Sequence, residues 1–365
     1  MARRPRLLVQ LAVLGVLVAV LGAACAPPSS PSAPATEVVP TAGVASPGPG
    51  TVGTPTAEPR AADPTATGRR LVVVTSATVF ADIIRRVGGD RVEVHALVPP
   101  GADVHTFQPS PGDAQRLAEA DVVFVNGLGF ERALDHLVES ARRPTTPVVH
   151  LAEGLVPSSP PASAEGEHEE AHDDARAPAE PDAHGHEEAH GGAGTNPHFW
   201  LDPRRGIHYV ERVRDGLASV DPEGQPVYAE NARRYVEELR ALDRELEQRV
   251  RAIPPERRKL VTFHDAFVYL AERYDLSLAG VVVVDEEHQP SPRELQDLAQ
   301  RVREERIPAV FAEPQMPART VEVLARETGA RVCRLYSDAL DQSVRSYVDL
   351  LRHNADQLVA CLGQG

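Results

Sequence analysis

Histidine is the residue type whose spacing here suggests chemistry. The chain holds 14 of them, and neutral imidazole is the commonest protein ligand for transition metals. Five crowd into residues 165–190: His168, His172, His184, His186 and His190. Both His168-Glu169-Glu170-Ala171-His172 and His186-Glu187-Glu188-Ala189-His190 fit H-E-x-x-H. On a buried helix that spacing turns two imidazoles to one face for zinc, with the Glu as general base. This segment cannot supply such a helix. It carries ten acidic residues, one arginine and nothing larger and more apolar than Ala or Pro. The motif recurs because the segment is built from these few residue types. A solvated loop that collects metal weakly, or an acidic spacer, fits the composition better.

Three other histidines sit where ordered elements end. His105 follows Pro99-Pro100-Gly101-Ala102-Asp103, after the strand-like run Val92–Val98. His198 lies in Asn196-Pro197-His198-Phe199-Trp200-Leu201-Asp202-Pro203, ahead of a helix. His264 closes Leu260-Val261-Thr262-Phe263 and precedes Asp265. In open α/β sheets, ligands bind outside the carboxyl ends of strands. One such histidine is unremarkable. Three, drawn from two sheets, point to a metal held in a cleft.

The elements around them alternate. Residues 71–74, 92–98, 121–126 and 148–151 read as strands, with helices over 79–87, 110–120 and 131–141. Ser110-Pro111-Gly112-Asp113 combines an N-cap serine, proline at the first helical position and a carboxylate at the third. The same order returns at 260–263, 278–284, 309–312 and 332–335, with a helix start at Ser291-Pro292-Arg293-Glu294 and a closing helix over 343–361. Strand–helix alternation predicts α/β lobes, each a mainly parallel sheet flanked by helices. Between them, Tyr228, Tyr235, Leu239, Leu242, Leu246 and Val250 recur at threes and fours. They predict one long rigid linker helix of roughly 40 Å, running along both lobes. The expected organisation is an N-terminal lobe over 69–222, interrupted by the acidic loop at about 157–195, a linker over 223–253 and a C-terminal lobe over 254–365.

The N-terminus reads as an address. Arg3, Arg4 and Arg6 precede an apolar run from Leu7 to Ala24, which ends in Gly22-Ala23-Ala24 before Cys25. This is a secretory signal over 1–24. Cys25 after small residues resembles the lipobox of bacterial lipoproteins, where the cysteine is lipidated; an uncleaved anchor is the alternative. Residues 26–68 hold ten prolines and no aromatic residue, so they form a tether rather than a core. Export places the bulk of the chain outside the cytoplasm. A net charge of −15 over 365 residues, with no basic stripe, excludes nucleic acid as a partner. Three cysteines exclude a disulfide-rich scaffold and a Cys₄ zinc ribbon.

Several stretches together carry a family resemblance. They are Pro100-Gly101-Ala102-Asp103-Val104-His105-Thr106-Phe107-Gln108-Pro109-Ser110, Asn196 to Pro203, Thr262-Phe263-His264-Asp265-Ala266-Phe267, Gln289-Pro290-Ser291-Pro292 and Phe311-Ala312-Glu313-Pro314-Gln315. Over about 70–365, apart from the acidic loop, the chain resembles the metal-specific solute-binding lipoproteins of bacterial zinc and manganese ABC importers. The resemblance implies a metal between two lobes, ligated at His105, His198 and His264. A carboxylate near the last strand is implied as fourth ligand: Asp338, with Asp341 or water as alternatives. Manganese-type members place Glu where this chain has His264, and an acidic His-rich loop marks the zinc branch. Both features favour Zn²⁺ over Mn²⁺, and imidazole suits zinc.

The function implied is capture of zinc and delivery to the membrane subunit of an ABC permease, by a monomeric protein tethered to the bilayer through its N-terminus. The competing class is a zinc hydrolase with Glu313 as base; the resemblance instead makes Glu313 a structural neighbour of the site. Surface adhesion is permitted by the anchor and supported by nothing else. With Cys25 lipidated and the rest exported, Cys333 in the last strand and Cys361 at the end of the final helix are expected to form a disulfide.

Overall fold

A computed structural model describes residues 69–156, 195–283 and 290–363. The signal segment, Cys25, the tether, His168, His172, His184, His186, His190, Val284 and Gln289 lie outside them.

The N-terminal sheet contains Leu71–Thr75 (β1), Val92–Ala96 (β2), Val122–Val125 (β3) and Val148–His150 (β4) in the order β2-β1-β3-β4, all parallel. The C-terminal sheet contains Lys259–His264 (β5), Ser277–Val283 (β6), Ala309–Ala312 (β7) and Arg331–Arg334 (β8) in the order β6-β5-β7-β8, again all parallel. Helices Thr78–Gly88 (α1), Pro111–Glu119 (α2) and Arg132–Ala141 (α3) belong to the first sheet. Pro203–Val220 (α4) and Gln225–Arg251 (α5) follow. Val268–Arg273 (α6), Pro292–Glu304 (α7), Arg319–Thr328 (α8) and Tyr347–Leu362 (α9) belong to the second. Parallel strands need crossovers, and the crossover helices cover the sheets. The pattern shows in β5, where Leu260 and Val261 point to opposite faces and both are fully buried.

Helix starts follow their cap residues. Ser110 and Asp113 form a reciprocal capping box at α2, as do Ser291 and Glu294 at α7, each with proline in the first turn. The final helix begins four residues later than its pattern suggests. Asp341 Oδ1 accepts the backbone N–H groups of Ser343 and Val344, which makes a side-chain-closed turn there. Ser346 then caps α9 through the N–H of Asp349.

Helix α5 buries Tyr228, Tyr235, Leu239, Leu242, Leu246 and Val250. It packs on α1, α4 and α9, so it touches helices of both lobes. One apolar core runs through this junction and includes Phe80, Trp200, Leu239, Phe267, Leu335 and Tyr347. A second core, with Val261, Val310, Leu298 and Leu324, lies under α7 and α8. Hydrogen bonds stitch the junction: Leu340 N–H to Thr78 Oγ1 (2.7 Å), Gly101 N–H to Leu340 O (2.9 Å) and Tyr347 N–H to Asp82 Oδ2 (2.9 Å). Cys333 of β8 and Cys361 of α9 are joined by a disulfide, closing the last strand onto the last helix. Among the described residues, no helix is long and apolar enough to cross a membrane.

Candidate metal centre

The carboxyl ends of the strands bring four side chains together. His264 is the last residue of β5, His105 lies on the loop after β2, His198 precedes α4, and Asp338 lies on the loop after β8. One ligand atom from each of His105, His198, His264 and Asp338 falls within 4.8 Å of all the others. Asp338 Oδ2 lies 3.4 Å from His105 Nε2 and 3.7 Å from His264 Nε2; its Oδ1 lies 3.4 Å from His198 Nε2. The Nε2 atoms of His198 and His264 are 3.3 Å apart. Ligands at 2.0–2.1 Å around a tetrahedral zinc stand roughly 3.3 Å from one another. The four short separations, 3.3 to 3.7 Å, approach that spacing, and the N₃O set suits a small four-coordinate ion chemically.

Neighbours fix the ring orientations. Glu313, directly after β7, holds Oε1 2.7 Å from His264 Nδ1, and its Oε2 accepts from Ser337 Oγ. Asn196 Oδ1 lies 2.9 Å from His198 Nδ1. With Nδ1–H donated to these acceptors, each Nε2 is turned toward the centre. Both Glu313 oxygens are thus engaged, which removes Glu313 from the role of general base. Asp341 is engaged too, by Tyr336 Oη–H (2.8 Å) and two backbone N–H groups, and stands outside the cluster. Trp200 Nε1–H donates to Ser337 O at 2.9 Å, anchoring the residue before Asp338.

The cluster is almost dry: His198 and His264 are 3% exposed and Asp338 1%. Burial disfavours charge on His264, but the Glu313 carboxylate, with Asp338 behind it, outweighs burial and pushes the imidazole up to about 9. Burial wins at His198 against the pull of Asp338 and lowers it. Burial alone would raise Asp338, yet His198, His105 and His264 hold it well below the usual carboxylate range. The result is one ionised carboxylate facing three imidazoles, a donor set that suits a cation.

Sequence reasoning left out three neighbours. Asn196 is visible only as a short motif member. The ring of Phe130 stands edge-on to His105 and His198, at centroid distances of 5.4 and 5.8 Å; it lies far from both in sequence and carries no periodic signal. Tyr347 Oη–H donates to Trp200 O from a helix whose start is displaced.

The family described as zinc-uptake complex component A, periplasmic, matches residues 73–361. The manganese-binding lipoprotein MntA of Halalkalibacterium halodurans is 29% identical over 301 residues, 81% of this chain and 90% of that protein. The iron-binding protein YfeA of Yersinia pestis is 30% identical over 306 residues, 83% of this chain and 89% of that protein. Among solved structures, the periplasmic zinc-binding protein TroA from Treponema pallidum matches with a TM-score of 0.66 at 27% identity, covering 81% of this chain and 100% of that one. The chain therefore belongs to the periplasmic zinc-uptake component A family: it is an extracytoplasmic metal-binding component of an ABC metal importer, and not an enzyme.

Proposed function

We propose that the metal is Zn²⁺, bound by His105, His198, His264 and Asp338 and delivered to the membrane subunit of an ABC permease. The observation that carries this reading is the buried set of three imidazoles and one carboxylate, whose donor atoms lie within 4.8 Å of one another. Manganese and calcium prefer more oxygen donors and higher coordination, whereas imidazole-rich four-coordinate sites suit zinc. Manganese is the second reading, because the relatives include a protein named for manganese binding.

The protein is a monomer, lipidated at Cys25 and held off the bilayer by residues 26–68, with lobes over 69–222 and 254–365 joined by a linker over 223–253. The loop histidines His168, His172, His184, His186 and His190 gather metal weakly and supply no primary ligand, because four ligands are already present without them.

Metal titration of the wild type and of a variant carrying His105→Ala, His198→Ala and His264→Ala, loop retained, tests this. One tight zinc equivalent in the wild type, absent from the triple variant, is expected. Tight binding that survives in the triple variant places the site elsewhere. Competition between Zn²⁺ and Mn²⁺ on the wild type decides the metal.

A further inference from the structure

One buried carboxylate has no part in the chemistry above. Glu131 is 1% exposed. Its Oε1 accepts from Ser76 Oγ (2.8 Å) and from the Asn126 N–H, and its Oε2 accepts the Gly127 N–H (3.0 Å). These bonds close the loop at the carboxyl end of β3, where Gly127, Leu128 and Gly129 all have left-handed φ values of 83, 57 and 80°. Leucine adopts that conformation only where its surroundings impose it. At Gly127 a Cβ would also come within 3.0 Å of His150 Nδ1.

Two side chains run from this closed loop to the metal centre. Asn126 Nδ2 donates to Pro197 O at 3.1 Å, and its Oδ1 accepts from Tyr209 Oη–H. The residue before His198 is thereby tied to β3. Phe130 stands edge-on to His105 (88° between planes), His198 (84°) and Trp200 (70°). We propose that Glu131 is the positioning residue of the N-terminal half of the metal centre. It orients His105 and His198 through Phe130 and Asn126, as Glu313 orients His264 by direct contact. Ligands reach productive geometry only when their own neighbours are locked, and a carboxylate with three donors locks this loop.

The inference rests on the four-residue metal centre proposed above. The test measures three quantities on the full protein and its variants: Zn²⁺ affinity by chelator competition, the visible spectrum of the Co²⁺-loaded protein, and the melting temperature without metal. Glu131→Gln keeps the shape but sets an amide N–H against a donor. Phe130→Leu keeps the closed loop and removes the ring. Asn126→Ala frees Pro197.

Glu131→Gln and Phe130→Leu are expected to weaken zinc 10- to 100-fold, the usual range for groups that orient ligands, and to change the cobalt bands. Zinc affinity within twofold of wild type with an unchanged cobalt spectrum overturns the proposal, however far melting falls. If Glu131→Gln does not fold, Phe130→Leu and Asn126→Ala give the same readings. If Glu131→Gln weakens zinc while both other variants bind normally, the route through Phe130 and Asn126 is wrong. A wild type that binds neither Zn²⁺ nor Co²⁺ tightly overturns the metal-centre reading instead, which separates the two failures.

Discussion

His264 Nε2 faces His198 Nε2 at 3.3 Å across the junction between the two lobes. Glu313 and Asn196 hold the opposite nitrogens as donors, so two neutral rings would point lone pairs at each other. A shared proton resolves this, and the opposed shifts agree: His264 is pushed up to about 9 while His198 is lowered. On these shifts, a proton on His264 would take the place of a cation at neutral pH in the absence of metal. Metal binding is therefore expected to release about one proton at pH 7, and apparent affinity to rise with pH until about 9. Calorimetry in two buffers of different ionisation enthalpy measures the release. An observed enthalpy independent of the buffer contradicts it.

The same shifts set the stability of the metal-free protein. His264 has a folded value above its unfolded value, so its contribution is fully present below ~6.5 and is lost as pH rises toward 9. His198 behaves oppositely. Its lowered value means the unfolded chain takes up a proton that the folded chain refuses, and stability falls as pH drops below ~6.5. Protonating Asp338 removes a further contribution in strong acid. These two histidines place the metal-free maximum near ~6.5, and burial, which pushes Glu131 up to about 7, moves it lower because folding then loses stability as pH rises toward 7. Saturating zinc should flatten the alkaline limb, because the metal replaces the proton. Identical pH profiles with and without zinc would refute this account.

Replacing His264 by Glu hardens the donor set toward manganese, but the setting resists it. The new carboxylate would approach Glu313, whose Oε1 lies 2.7 Å from the present ring nitrogen. Two buried carboxylates that close must share a proton. His264→Glu alone is expected to lose zinc affinity strongly and gain little for manganese. Adding Glu313→Gln should restore an ionised ligand and raise the Mn²⁺/Zn²⁺ preference by roughly tenfold or more, the scale of a single orienting group. Competitive titration of both variants checks it. Equal preference in the single and double variants would show that Glu313 does not govern the choice.

Much of this architecture is legible in the residues. The described strands are short runs, valine-rich in β1, β3 and β6, and the capping boxes at Ser110 and Ser291 mark helix starts chemically. The three histidines stand out because each follows or precedes an element end. What sequence periodicity does not carry is the long-range polar wiring. Glu313 to His264 and Trp200 to Ser337 are contacts across 49 and 137 positions, set by how strands and lobes come together. The displaced start of α9 has a similar origin, since Asp341 closes a turn with its side chain where the apolar pattern already reads as helix.

The disulfide invites a stability measurement. Cys333 and Cys361 are 28 residues apart, and in the chain-entropy model such a loop contributes about 3.5 kcal/mol. Changing both cysteines to serine should lower unfolding stability by roughly that amount. Both cysteines lie on β8 and α9, whereas Asp338 is held separately through the Ser337 carbonyl and the Leu340 backbone. Zinc affinity should therefore move less than tenfold. Denaturant unfolding and zinc competition on the double variant measure the two effects. A stability loss below 1 kcal/mol would place the constraint elsewhere.

The junction between the lobes also predicts a small substitution with a large effect. Gly206 lies in α4, where alanine is ordinarily favoured over glycine by ~1 kcal/mol. Here a Cβ would fall far inside contact distance of the Tyr347 hydroxyl. Tyr347 is fully buried and donates to Trp200 O, while Trp200 Nε1–H donates to Ser337 O beside Asp338. Displacing the hydroxyl would break the chain of bonds that carries Asp338 to the histidines of the first lobe. The steric term outweighs helix propensity, and overpacking of this kind costs about 1–3 kcal/mol. Gly206→Ala should therefore melt lower and bind zinc more weakly. The companion variant Tyr347→Phe removes the hydroxyl and with it the closest contact, leaving ring carbons Cζ and Cε1 at 3.0 and 3.2 Å, where a small ring shift suffices. Combined with Gly206→Ala, it should recover much of the melting temperature while zinc affinity stays reduced, because the bond to Trp200 O is still missing. Wild-type zinc affinity in the double variant would show that Asp338 is held without this relay.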